Sequence, residues 1–138
     1  MGGAEFLSLL SSSECPNFMH ASKSYPHIIN FPLLVRDAYE GDIIRTLMGT
    51  EMSLMSINLL IADRDRPLAL AGVVGGLDSS VKEDTCSILL ESAFFDPYRI
   101  RKSARSLALQ TDSSYRFERN VDIEGVKRAP RSCHKAFA

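Results

Sequence analysis

The sequence predicts an α+β domain built on a mainly antiparallel, barrel-like sheet with helices packed outside it. Three observations carry this expectation. Short apolar runs separated by turn residues fill the middle of the chain, and a proline-initiated amphipathic segment follows them at Asp96-Pro97. At 138 residues, with 45% hydrophobic and 24% charged residues, the chain suits one ordinary globular domain with a single core.

Taken in order, residues 1–32 are poorly patterned: an apolar stretch, the Ser11-Ser12-Ser13 cluster, and Pro16, Pro26 and Pro32 argue for loops and short strands over a long helix. Ile43 to Leu47 and Ile57 to Asp63 read as strands, the second apolar enough to be buried on both faces. Arg64-Asp65-Arg66-Pro67 reads as a turn into Leu68-Ala69-Leu70-Ala71, the partner strand of a hairpin. A glycine-rich turn follows, Ala71-Gly72-Val73-Val74-Gly75-Gly76, then a polar loop from Leu77 to Thr85. Ser87 to Phe95 is the strongest strand. Asp96 and Pro97 then supply an N-cap carboxylate and a first helical residue that needs no amide partner. Ile100, Ala104, Leu107 and Ala108 recur at the spacing of one buried helical face, which predicts a helix from Pro97 to about Leu109.

The net charge of −1 is unevenly distributed. Residues 1–98 hold 6 Lys/Arg against 13 Asp/Glu, and residues 99–138 hold 10 against 4. Such asymmetry fits either a basic face that meets phosphate or a solvated basic helix beside an acidic body. Arg101, Lys102 and Arg105 project from the predicted helix away from its apolar side and are the candidate phosphate contacts on such a face. The three cysteines, Cys15, Cys86 and Cys133, are widely spaced, so neither a disulfide framework nor a zinc site is indicated. No apolar run reaches membrane-span length, and Glu5 stands where a signal peptide carries positive charge. A reducing, cytoplasmic setting with no membrane partner, no metal and no cofactor is the expectation. The glycine turn has neither the G-x-G-x-x-G order of a dinucleotide site nor a phosphate loop ending in Lys-Ser/Thr.

Strand alternation places Glu91 on the same face as Leu89, Ala93 and Phe95. A carboxylate there either reaches solvent at a sheet edge or is buried, and burial demands hydrogen bonds, a cation or protonation. Gly72, Gly75 and Gly76 either bring backbone close to a ligand or allow a tight turn. Thr111 and Ser113 flank Asp112 at a predicted helix start, capped by Asp112 or Ser113, where free amides and hydroxyls face outward. Arg116, Glu118, Arg119 and Asp122 alternate in sign and read as an ion-pair network. A lone His20 near the terminus is by itself more often incidental than catalytic.

Three blocks in register carry a resemblance: the glycine turn at 71–76, Leu89-Leu90-Glu91-Ser92-Ala93-Phe94-Phe95, and Leu109-Gln110-Thr111-Asp112-Ser113-Ser114-Tyr115-Arg116-Phe117 running into Glu118-Arg119-Asn120-Val121-Asp122. Together they resemble the editing domain of the β subunit of bacterial-type phenylalanyl-tRNA synthetase. The likeness is specific from about Ile61 to Asp122 and weaker from Met19 to Leu60, where Leu34-Val35-Arg36 and Glu40-Gly41 echo a strand and a turn. It implies three segments: an N-terminal stretch at 1–17, an editing-type domain at 18–122 incomplete at its front, and a diverged tail at 123–138.

The resemblance also implies roles. Glu91 would bind the hydroxyl of a mischarged tyrosine, Gly72 and Gly75 would form a pocket wall, and Thr111 would act on the substrate. Ser113 stands where the family usually has alanine and would bind substrate too. His20, within the surviving Met19-His20-Ala21 of a longer family motif, would bind ribose or water. The implied activity is hydrolysis of tyrosine from the tRNA for phenylalanine. The implied partners are that tRNA and the α subunit of the synthetase. The alternatives are a non-catalytic RNA-binding or subunit-assembly module and an inactive truncated remnant. Asn120 replaces a usual glycine, a tolerable change where positive φ is required.

Overall fold

The computed structural model describes residues 4–11, 33–82, 87–126 and 128–129. Its strands are β1 (Ala4–Ser11), β2 (Leu34–Asp37), β3 (Ile43–Arg45), β4 (Glu51–Ser53), β5 (Leu59–Ala62), β6 (Pro67–Leu70), β7 (Val74–Gly75) and β8 (Ser87–Ala93). Two helices follow, α1 (Pro97–Ser106) and α2 (Asp112–Phe117). All pairings among these strands are antiparallel, in the order β1-β8, β2-β5-β6-β7 and β3-β4. The α+β class is as expected, but among the described residues no sheet closes into a barrel.

β5 is central because Leu59-Leu60-Ile61-Ala62 has no polar side to present, and all four residues are buried. Its hairpin with β6 is closed by Asp63, whose Oδ1 accepts from the amides of Asp65 and Arg66, both at 2.9 Å. That aspartate bonds its own turn, which permits its own near-complete burial. The β3-β4 hairpin then meets the edge of β7 through a single bridge, Thr46 to Gly76. Bonds from Leu47 N to Gly75 O (3.0 Å) and Leu77 N to Arg45 O (2.7 Å) flank it, making six strands one interrupted wall. Gly76 is required at this junction. A Cβ there would lie 2.4 Å from the Leu68 carbonyl oxygen.

α1 begins as the sequence predicts. Asp96 accepts from the amides of Tyr98 (2.8 Å) and Arg99 (3.1 Å), with Pro97 in the first turn. It ends three residues earlier than expected. Ala108 takes φ 50°, its amide bonds Arg105 O (3.1 Å), and the Leu109 amide bonds Ala104 O (2.9 Å). This pair of reverse bonds is a Schellman closure with alanine where glycine is usual. Ala108 is therefore exposed and lies off the buried face assigned to it from spacing, while Leu107 and Leu109 turn toward the core. Ser103 takes the vacant place on that face, bound through its hydroxyl to the fully buried Asn58 (3.2 Å).

Thr111, not Asp112 or Ser113, caps α2. Its Oγ1 accepts from Ser114 N (3.0 Å) while Ser114 Oγ accepts from Thr111 N (2.9 Å), a reciprocal capping box. Asn120 has φ 75°, the positive φ expected where asparagine stands in place of glycine. The expected network over 116–122 resolves into separate pairs among the described residues, Arg119 with Glu118 (2.8 Å) and Asp122 with Arg128 (3.2 Å).

Ala108→Gly relieves a left-handed conformation that disfavours a Cβ. It should raise the unfolding free energy by about 1 kcal/mol, read from denaturant melts with unchanged m-value. A loss of stability would show that Ala108 is not strained.

Candidate functional site

The glycine turn joins β6 to β7, and Gly72 sits at its apex with φ +66°. A Cβ at Gly72 would stand 3.0 Å from Ile100 Cδ1 and 3.2 Å from both Phe117 Cγ and Phe95 Cδ2. The turn is thus pressed against an aromatic pair, Phe95 and Phe117, whose ring centroids are 5.3 Å apart. Its carbonyls point toward α2. Thr111 Oγ1 donates to Val73 O at 2.7 Å, and Ser113 Oγ donates to Gly72 O at 3.0 Å.

Gly72, Thr111 and Ser113 are therefore brought together directly, across about forty residues of chain. The Thr111 hydroxyl gives its only proton to Val73 and accepts from Ser114, so it positions backbone and has no proton to offer a ligand. The Ser113 proton is likewise committed to Gly72, leaving its oxygen as an acceptor. Gly75 lies on β7, half-buried, and the direction a Cβ would take meets Leu47 Cδ1 at 3.0 Å.

Glu91 lies on β8 opposite Phe6 of β1. Ala93 and Phe95, on the same face, are buried, so this face turns inward toward the glycine turn at its Phe95 end. Strand rise puts Glu91 about 13 Å from Phe95. Glu91 itself keeps contact with solvent, yet the protein around it pushes its pKa up by desolvation. Among the described residues no hydrogen bond or cation compensates it, and desolvation is the sole cause of its shift. The neighbouring Ser92 faces the other way and donates to Val126 O (2.8 Å) in the helical turn at 123–126.

Arg101, Lys102 and Arg105 are all exposed on the outer side of α1, opposite Ile100, Ser103 and Ala104. His20 lies outside the described residues. Sequence reasoning missed Asn58, which accepts from Met55 N (2.8 Å) and donates to the hydroxyls of Ser103 and Ser106, pinning α1 to the loop before β5. A single asparagine between Ile57 and Leu59 gave no periodic signal. A concavity elsewhere is lined by Val35, Arg36, Asp37, Leu59, Asp96 and Arg99. Its charges are largely consumed by the pairs Arg36–Asp42 and Arg99–Asp37, and it contains none of the candidate residues. Among the described residues no three His, Cys, Asp or Glu side chains gather as a metal site requires, and no helix is long and apolar enough to cross a membrane.

With this geometry in place, comparison with known families is decisive: the profile described as the B3/4 domain matches residues 26–138, and the chain belongs to that family. Among curated proteins it is similar to the phenylalanine–tRNA ligase beta subunit of Aquifex aeolicus, with 59% identity over 97 residues that make up 70% of this chain and 12% of that protein. It is similar also to the beta subunits of Carboxydothermus hydrogenoformans (52% over 97 residues, 70% of this chain and 12% of the relative) and Salinibacter ruber (46% over 112 residues, 81% and 13%). The chain thus spans about an eighth of the length of these relatives.

A carboxylate whose folded pKa is raised destabilises the fold once ionised. Because the native state then holds its proton more tightly than the unfolded chain, stability falls as pH rises from the ordinary glutamate value of 4.5 through the raised one, and the penalty persists above it. Glu91→Gln should therefore melt at a higher temperature than the wild type at pH 7, with the difference vanishing near about pH 4. Equal melting temperatures at both pH values would mean that Glu91 is fully solvated.

Proposed function

We propose that this chain is the editing portion of a phenylalanine–tRNA ligase β subunit and hydrolyses the ester joining tyrosine to the tRNA for phenylalanine. The observation that carries this reading is Glu91, an exposed carboxylate with no hydrogen-bond or cation partner among the described residues and a pKa raised by desolvation, on the face of β8 that runs toward a glycine turn tied down by Thr111 and Ser113. Tyrosine and phenylalanine differ by one hydroxyl. A site that hydrogen-bonds this hydroxyl discriminates far more strongly than an apolar pocket that merely fills or leaves space. Glu91 fits that requirement because it has no donor among the described residues and gains one from the tyrosine phenol.

Thr111 serves the reaction indirectly. It holds Val73 and the start of α2, so the glycine turn and the helix start keep one fixed arrangement against the substrate. Ser113 and Gly72 act as one unit through their shared hydrogen bond, and the bare Gly75 lets Leu47 pack against β7. His20 is assigned to the terminal ribose or the attacking water. The α subunit and the tRNA are the partners this reading requires, and the compartment is the cytoplasm. Neither metal nor cofactor is needed for an ester hydrolysis whose demands are an oriented water and charge stabilisation.

The test is deacylation of purified tyrosyl-tRNA and phenylalanyl-tRNA by the wild-type chain and by Glu91→Ala. Losing a hydrogen bond to a charged acceptor costs about 1.5–3 kcal/mol. Tyrosine release should accordingly slow by roughly one to two orders of magnitude, with phenylalanine release little changed. Equal rates for the variant and the wild type on the tyrosyl ester would remove Glu91 from the site.

A further inference from the structure

We infer that the outer face shared by α1 and α2 binds an unpaired stretch of RNA, reading its phosphates with arginine and lysine and stacking its bases on two tyrosines. On α1, Tyr98, Arg101, Lys102 and Arg105 recur at the spacing of one helical stripe, and all four are exposed. The stripe is about 10 Å long by helix rise. Arg101 Nη2 donates to Glu118 O at 3.1 Å, so the stripe runs on without a break into the end of α2. There Tyr115, half exposed, carries the Arg119 guanidinium 3.5 Å from its ring centroid. Tyr98, 60% exposed, carries Lys102 Nζ at 4.5 Å in the same way.

Among the described residues the charge on this face is not neutralised by acidic side chains. Glu118 pairs with Arg119, which leaves Arg101, Lys102 and Arg105 in excess, whereas Arg99, off the stripe, is paired with Asp37. Positive charge interleaved with exposed aromatic rings is the arrangement that suits single strands. Counterion release supplies affinity and every base offers a face for stacking, whereas a duplex keeps its bases out of reach of a flat tyrosine platform. An acidic protein surface would satisfy the cations but gives the tyrosines no partner. The inner sides of the same two helices contribute Ile100 and Phe117, which touch Gly72, so RNA on the outer face lies about one helix thickness from the glycine turn. The inference rests on the proposed function only in choosing RNA as the polyanion.

The experiment measures anisotropy of a labelled single-stranded RNA and of an RNA duplex of equal length, with the full chain, over a range of salt. Replacing Arg101, Lys102 and Arg105 together by Gln should weaken single-strand binding by about tenfold at low salt and flatten the log–log salt slope by about 2, with unchanged thermal stability. Tyr98→Leu with Tyr115→Leu should weaken single-strand binding by roughly tenfold or more while leaving any duplex binding unaltered. Unchanged affinity in the triple variant would overturn the inference. So would equal loss of single-strand and duplex binding in the tyrosine variant, or displacement of RNA by polyglutamate at equal charge concentration. Hydrolysis of a tyrosyl ester of adenosine, too small to reach the outer face, separates the two proposals. If the wild type cleaves this ester but the triple variant binds RNA normally, this inference alone fails. If RNA binding follows expectation and no ester is cleaved, the editing reading alone fails.

Discussion

Two side-chain hydrogen bonds, from Thr111 to Val73 O and from Ser113 to Gly72 O, hold the centre of this structure. A chain reversing at Gly72 removes its carbonyls from the sheet ladder, and buried carbonyls need donors from elsewhere. The start of α2 provides them. Each bond contributes only about 1 kcal/mol net, but leaving a buried carbonyl unpaired costs about 1–3 kcal/mol, so the turn and the helix are bound to one arrangement. That arrangement depends in turn on the early end of α1. The Schellman closure at Ala108 redirects the chain so that Thr111 arrives beside Val73, and Leu107 and Leu109 cover the core on the way.

Around this junction the architecture divides its tasks. Phe95, Ile100 and Phe117 close on Gly72 and give the turn a rigid backing, which is why its apex has no space for a side chain. β8 starts in the β1–β8 ribbon and leads into the core at Ala93 and Phe95, with the exposed Glu91 two residues before the first of these. An ionised group crowded by protein without a partner opposes folding. The outer sides of α1 and α2 carry the basic and aromatic groups, so the same two helices back the turn on one side and face solvent on the other.

Elements governed by local chemistry were legible in the sequence. The Asp96-Pro97 start of α1, the doubly buried β5, the β5–β6 hairpin and most of β8 all follow from capping, composition and alternation. What was not legible depends on partners distant in sequence. β1 is a strand because β8 pairs with it, and β7 is one because two residues of a glycine-rich segment find Ala69 and Leu70. β4 is three residues long and exists only as the partner of β3. Apolar spacing placed Ala108 on the helix, since periodicity carries no signal for a left-handed alanine. The cap of α2 was misplaced by one or two residues because threonine, aspartate and serine are all good caps, and only the hydroxyl of Ser114 selects Thr111. Of the candidate site, the family resemblance implies one pocket for Glu91, Gly72, Gly75, Thr111 and Ser113; the hydrogen bonds tie Thr111 and Ser113 to the turn at Gly72 and Val73, and the commitment of both hydroxyl protons to backbone emerges only from the three-dimensional arrangement.

The most direct test of this account is an amide-resolved NMR titration of the labelled chain with a non-hydrolysable amide analogue of tyrosyl-adenosine. Resonances of residues 72–76 and 111–114 should shift together with those around Glu91, and Glu91→Ala should abolish the response. The corresponding phenylalanyl analogue should produce weaker shifts at the same positions. Shifts confined to the concavity lined by Val35, Asp37 and Arg99, with the glycine turn and the start of α2 unmoved, would contradict the account.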